Sequence, residues 1–164
     1  SDGQVLTSTG SGVAWEAAGG GKILQVVTGG VQAENTTTST SFVATNTSAI
    51  ITPTSTSSKI LVTVLGGLFW MQGDDVEGAE ATIFRDGTNI HPGGSEGRFI
   101  RTYKASAFNL QTTGPMQFLD SPASTSALTY TVYIAVGWGA GTAQWGSGSG
   151  GSDTAVMVLM EVEG

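Results

Sequence analysis

The sequence predicts an all-β domain, an antiparallel β-sandwich of jelly-roll-like kind with eight to ten strands. Three observations predict it. The apolar residues, 39% of the chain, fall in short discrete runs. Several of those runs alternate with period two, and no window sustains helical periodicity. The runs are separated by turn-forming residues: glycine contributes 25 of 164 positions, and Ser and Thr contribute 40 more. A small barrel is the structural alternative. A propeller needs a repeat, and the chain has none. The length suits one domain with a proper core and is short for two.

Residues 1–21 read as a stalk-like flexible lead-in, and residues 22–164 as the head domain. The lead-in holds Ser8-Thr9-Gly10-Ser11-Gly12 and ends on Gly19-Gly20-Gly21, a hinge sequence. Val5, Leu6, Val13 and Trp15 are too apolar for a pure linker. They either lie on the surface of the domain or pack against equivalent residues of partner chains. The chain opens on Ser1 without a signal peptide, which marks a fragment of a longer polypeptide. Its end follows directly on an apolar run and reads as a natural terminus.

The first strand of the head is Ile23 to Val27, and a second lies near Gln32 to Thr38. Thr36 to Thr45 is rich in Thr and reads as an exposed strand with a hydroxyl face, because a branched Cβ favours extended backbone. Ile50-Ile51 precedes Pro53, a strand end or edge. Ile60 to Leu65 is a continuous apolar run and fits a central strand. Gly66-Gly67 breaks it, and Leu68 to Met71 resumes it. Ala79, Ala81 and Ile83 alternate with Glu80, Thr82 and Phe84. Asp86-Gly87 then gives the strongest local hairpin signal, turning toward Asn89-Ile90. His91-Pro92-Gly93-Gly94 is a turn. Phe99 to Lys104 is a half-exposed strand, with Phe99, Arg101 and Tyr103 on one face.

Met116, Phe118 and Leu119 form a short strand ended by Asp120-Ser121-Pro122. Leu128 to Val136 carries the cleanest period-two alternation in the chain. Gly146 to Ser152 is a loop. The last strand runs from Ala155 to Val162. Val156, Val158, Met160 and Val162 take one face and Met157 and Leu159 the other, so both faces call for cover.

The charge balance narrows the partners. Six basic residues face thirteen acidic ones, a formal net charge of -7. Nucleic-acid binders display a basic stripe, which is missing, so no nucleic-acid partner is expected. Anionic membranes repel such a chain, and no apolar run approaches the ~20 residues of a span, so no membrane insertion is expected. The absence of cysteine excludes disulfides, thiolate nucleophiles and cysteine-held zinc.

Residues that carry chemistry are few. His91 is the single histidine and lacks a nucleophile motif such as G-x-S-x-G. It reads as a turn residue, and the chain as no enzyme, with no cofactor. Asp74, Asp75 and Glu77 form the one acidic cluster. Carboxylates in a turn suit calcium, although the spacing matches no EF-hand and a solvated loop is the plainer reading. Asn35-Thr36-Thr37 and Asn46-Thr47-Ser48 match the glycosylation pattern, as chance allows in a Thr-rich chain.

The aromatics say more. Trp138 and Trp145 stand among Gly137, Gly139, Gly141 and Gly146. Glycine neighbours let a ring lie flat on backbone or project from a loop. A projecting indole is a platform for the apolar face of a sugar, and Tyr103, Asn109 and Gln111 could complete its polar contacts. The other reading packs both rings into the core or a subunit interface.

Longer segments carry a resemblance. The opening Ser1-Asp2-Gly3-Gln4-Val5-Leu6-Thr7-Ser8-Thr9-Gly10-Ser11-Gly12-Val13-Ala14-Trp15 resembles a segment of bacteriophage tail-fibre and fibre-like proteins, especially of phages of marine and cyanobacterial hosts. The rest is similar to a C-terminal module of the same proteins. The similarity lies in Ile50 to Val62, Phe84-Arg85-Asp86-Gly87-Thr88, Leu119-Asp120-Ser121-Pro122 and Val158 to Val162. Together these segments span nearly the whole chain.

The resemblance implies a virion structural protein, exposed on the particle or tail fibre, whose distal domain contacts host-surface glycan. A purely structural role in capsid decoration or fibre assembly is the alternative. It also implies a homotrimer in contact with other virion proteins, and no catalytic residues. Trimerisation would cover the second apolar face of the last strand. The region from Trp138 to Trp145 is more aromatic and glycine-rich than the family type.

Overall fold

Short β-branched and aromatic runs cannot bury both their backbone and their apolar side chains alone, so they pair. A computed structural model of the chain describes residues 4–8, 10, 12–17, 22–30, 34–73, 77–105, 109–146 and 154–164. Its strands are β1 (Gln4–Ser8), β2 (Val13–Ala17), β3 (Ile23–Gly29), β4 (Asn35–Thr37) and β5 (Val43–Ile51). There follow β6 (Lys59–Gly66), β7 (Leu68–Gln72), β8 (Glu77–Arg85), β9 (Thr88–Asn89) and β10 (Ile100–Lys104). The last five are β11 (Leu110–Thr113), β12 (Met116–Asp120), β13 (Leu128–Trp138), β14 (Thr142–Trp145) and β15 (Ala155–Val162). A single 3-10 turn, Gly94–Glu96, is the helical element among the described residues. None of the described helices is long and apolar enough to cross a membrane.

The all-β, antiparallel expectation holds: every strand pair is antiparallel. The expected eight to ten strands become fifteen among the described residues. Part of the excess is in residues 1–21, where β1 and β2 form a hairpin. More comes from β11 and β14, whose polar or glycine-flanked sequences hide their pairing, whereas β4 and β9 fall where a second strand and the Asp86-Gly87 hairpin are expected. The hydroxyl-rich stretch expected to be one strand from Thr36 to Thr45 is instead the end of β4, a connection over 38–42 and the start of β5. Ser39 and Ser41 hold the connection together by local hydrogen bonds.

A five-stranded sheet has the order β10-β8-β13-β5, with β9 on β8. Two four-stranded sheets follow the orders β11-β7-β14-β4 and β12-β6-β15-β3. Each strand of one continues along the chain into the corresponding strand of the other. They are two halves of one ribbon, interrupted across its middle. At β6 to β7 the interruption is Gly66-Gly67, with φ of 70° and 78°. Only glycine adopts two such angles in succession without strain. Gly67 also lies against the indole of Trp145, where an added Cβ would meet the ring at 2.9 Å.

One core joins all three sheets. It includes Ile60, Val62 and Val64 from β6, Phe69 and Met71 from β7, and Ala79, Ala81 and Ile83 from β8. Tyr130, Val132, Ile134 and Val136 come from β13, Trp145 from β14, and Met157 and Leu159 from β15. Polar contacts tie the layers. The indole Nε1 of Trp145 donates to Thr47 Oγ1 on β5 at 3.0 Å. Tyr130 on β13 donates to Asp120 on β12 at 2.7 Å, and Arg85 on β8 pairs with the same carboxylate. Burial, then the bond to Asp120, pushes the Tyr130 hydroxyl pKa far up.

Two surfaces remain apolar. On the outward side of the β12-β6-β15-β3 sheet, Leu119, Leu61, Met160 and Val26 line up in one cross-strand row. Leu119 is 47% exposed and Val26 is 54% exposed. Leu65 and Val156 extend the patch, so the outer face expected to be covered stands half open. On the β1–β2 hairpin, Val5, Leu6, Val13 and Trp15 are all exposed. Within one chain they are not buried against the head domain.

Candidate functional site

The outward face of the five-stranded sheet gathers the aromatic and charged side chains. Strand β13 points Val132, Ile134 and Val136 into the core, and period two would send Trp138 after them. A β-bulge intervenes. The register with β8 shifts between Val136 and Trp138, so Gly137 is an extra residue and Trp138 pairs with Gly78. A bulge re-aims the side chain that follows it. Trp138 therefore turns outward, half-buried, into the row Tyr103–Gly78–Trp138.

Gly78 makes that row possible. A Cβ there would sit 2.9 Å from the Trp138 ring and 2.9 Å from the Thr102 carbonyl oxygen. The two aromatic rings close over the space, their centroids 5.3 Å apart. Tyr103 keeps 56% of its surface exposed. Further along the same face Phe84 stacks on Tyr133 at 3.9 Å, with Phe42 edge-on to Phe84.

The next row holds the charges. Arg101 on β10 pairs with Glu80 on β8 and lies beside it. Its Nε is 3.3 Å from Glu80 Oε1, and Nε of Arg98 is 2.8 Å from Glu80 Oε2. Both carboxylate oxygens thus face a guanidinium, which explains how Glu80 tolerates being 5% exposed. The Arg101 guanidinium carbon stands 4.4 Å over the Trp138 ring, a cation–π contact of about 0.5–1 kcal/mol at an exposed site. The group is a carboxylate held by two arginines beside an indole and a phenol.

The residues expected from the sequence divide. Trp138 and Tyr103 come together on this face. Trp145 does not: it is fully buried, packed at 6.1 Å from Phe69 and against Gly67. Its neighbouring glycines let the ring lie on backbone inside the core, so it is withdrawn as a glycan contact. Asn109 is exposed just ahead of β11, at the edge of a different sheet. Gln111 on β11 pairs with Trp70 and not with Trp138.

The calcium candidates fall only in part among the described residues. Asp74 and Asp75 lie outside the described residues. Glu77 points inward, where its Oε2 is 3.1 Å from the Nζ of fully buried Lys104. That carboxylate is committed to an internal cation. Among the described residues no three His, Asp or Glu side chains converge as metal ligands. His91 serves its turn: Nδ1 accepts from the Gly93 amide at 2.9 Å, and the ring meets Phe99 edge-on. An open hollow of about 300 Å³ lies elsewhere, along Thr28, Gly29, Gly30, Thr154, Ala155 and Val156. It is lined by no charged side chain.

Sequence reasoning missed Glu80, Arg98 and Arg101. A signal was present: four of the six basic residues, Arg85, Arg98, Arg101 and Lys104, fall within twenty positions. In an acidic chain that concentration marks the one region with local positive charge. No protein-family model matches the chain, and no curated protein matches it.

Proposed function

We propose that the chain is the distal, non-enzymatic domain of a bacteriophage fibre, exposed on the virion, that attaches to glycan on the host surface. In this reading the five-stranded sheet is one layer of a jelly-roll-like sandwich, and the interrupted four-stranded ribbon is the other. The observation that supports it is the outward row Tyr103–Gly78–Trp138 with Arg101 laid on the indole. Ordered aromatic rings beside fixed polar groups suit a sugar, which offers an apolar face and a rim of hydroxyls. Single contacts of this kind are weak, and several copies per fibre would supply avidity. The resemblance of the opening and closing segments to fibre proteins points the same way.

The experiment is competition. Purified chain in excess should block adsorption of the phage that carries it. Tyr103→Ala with Trp138→Ala should remove the block while the chain still unfolds in one cooperative transition, lowered by a few degrees. Full blocking by that double variant would reject the site.

A second reading, an assembly or decoration domain, is favoured by a separate observation. The outward face of the β12-β6-β15-β3 sheet presents Leu119, Leu61, Met160, Val26, Leu65 and Val156. They fall in two rows, separated by the more polar row Gln117–Thr63–Val158–Thr28. Exposed apolar rows of this kind mark candidate interaction surfaces. A homotrimer, or another virion protein, would cover them. Light scattering across a concentration series separates the cases: 16.7 kDa for one chain, or about three times that for a trimer.

A further inference from the structure

We infer that the outward face of the five-stranded sheet binds a carboxylate-bearing sugar, the guanidinium groups of Arg98 and Arg101 receiving the carboxylate and the Tyr103 ring receiving the sugar's apolar face. The inference rests on the glycan-attachment reading and names the class of glycan.

Charge is the first argument. Two guanidinium groups share one carboxylate, Glu80, so the cluster carries one positive charge more than it neutralises. Both arginines approach Glu80 through Nε. A guanidinium has five N–H donors, and Nε carries one of them. The terminal forks remain, on side chains that are 30% and 49% exposed. Among the described residues none accepts a hydrogen bond from them. A planar carboxylate matches such a fork with two parallel hydrogen bonds.

Pre-ordering is the second argument. Arg101 is held from two sides, by Glu80 at 3.3 Å and by the Trp138 ring at 4.4 Å. The entropy of fixing a long side chain is thereby spent in folding and not in binding. The occupied indole also changes the role of Trp138. Its outer face is taken by Arg101, so it orders the arginine, and the open aromatic surface is that of Tyr103.

The third argument is exclusion. A net charge of -7 repels anions at long range. Only an anion placed directly on the exposed forks gains, which favours a ligand whose charge is fixed beside an apolar ring face. A neutral sugar leaves both forks in water and gives up the charge-assisted bonds.

The test displays the chain on a multivalent support and offers it a panel. The panel holds uronate- and sialate-bearing oligosaccharides, their methyl esters, the neutral counterparts and sulfated counterparts. Acidic members should bind roughly tenfold or more tightly than their esters, as loss of charge-assisted hydrogen bonds requires. That preference should fall with rising salt. Arg98→Gln with Arg101→Gln should abolish it while a cooperative unfolding transition remains, at a lower midpoint because Glu80 loses both partners. Should the double change disturb folding, Tyr103→Ala tests the ring alone and should weaken acidic and ester forms alike. Equal binding of acids and esters overturns the inference and leaves glycan attachment standing. Preference for sulfated members over carboxylates also overturns it. Binding of no member overturns both. Undiminished acid preference in a folded double variant overturns the site.

Discussion

On the five-stranded sheet the outward face carries the Arg98–Glu80–Arg101 cluster, while on the β12-β6-β15-β3 sheet it carries mostly aliphatic side chains and Glu161 lies inside. Glu80 and Glu161 make the contrast concrete. Both are buried, at 5% and 0% exposure. Glu80 stands on an outward face and is neutralised by two guanidinium groups. Glu161 stands on an inward face and is held by uncharged donors on Gln25 and Thr54. The first arrangement leaves spare positive charge at the surface, ready for a polar ligand. The second leaves a surface that gains only by being covered. Exposure alone therefore does not mark a site; the character of what is exposed, and what holds it, does.

The two tryptophans give the largest test of inside against outside. Trp145→Ala removes a fully buried ring and its bond to Thr47, and should cost about 3–5 kcal/mol. Trp138→Ala should cost about 1 kcal/mol, the order of a cation–π and an aromatic contact on a half-open face. Urea unfolding of both variants measures the gap. Equal losses would break the distinction between a core tryptophan and a surface one.

Glu80→Gln sharpens the electrostatic half of the comparison. The amide keeps the shape but leaves two guanidinium groups facing each other. The loss should be about 1–2 kcal/mol, less than for a fully buried pair because both arginines are partly exposed. Added salt should recover part of it by screening the arginine repulsion. Unfolding at low and high salt gives the answer, and a variant as stable as the parent at low salt would show that the carboxylate holds neither arginine.

Leu119→Glu addresses the apolar face. A charge at this exposed position should change stability by no more than about 0.5 kcal/mol. Any self-association through that sheet should weaken, seen as a lower solution mass at a given concentration. A parent chain that stays at one-chain mass throughout would remove self-association as the means of covering this face.

These tests bear on what could be read from the residues. β15 was legible to the residue, because Ala155 to Met160 is a continuous apolar run set off by a glycine-rich loop. β6 was legible as a similar run, and β13 by its period-two alternation. Trp138 and Trp145 were not, since each stands beside glycine and their sequences look alike. What separates them is a bulge at Gly137 that depends on pairing with β8, and a contact with Gly67 seventy-eight positions from Trp145. Neither can be seen locally. The Arg98–Glu80–Arg101 cluster was hidden likewise, because its members meet only once β10 pairs with β8. Composition carried the hint, in the clustering of basic residues, but the partner carboxylate is a matter of register.

The last difference between the two carboxylates concerns pH. Burial alone would raise the pKa of Glu161. Hydrogen bonds from Gln25 at 2.7 Å and from the Thr54 amide and hydroxyl at 2.7 Å outweigh it, and the pKa falls from 4.5 to about 2. A carboxylate with a lowered folded pKa binds its proton more readily in the unfolded chain. Its contribution to stability is complete above about pH 4.5 and is lost as the pH falls from there toward 2. Glu161→Gln should flatten that part of the stability profile, because the amide has no proton to take up. The variant should also be less stable than the parent at neutral pH, since an amide accepts these donors with one oxygen instead of two. Urea unfolding of both chains from pH 7 to pH 2.5 tests this directly. Parallel profiles would mean that the acid sensitivity of this sheet lies elsewhere.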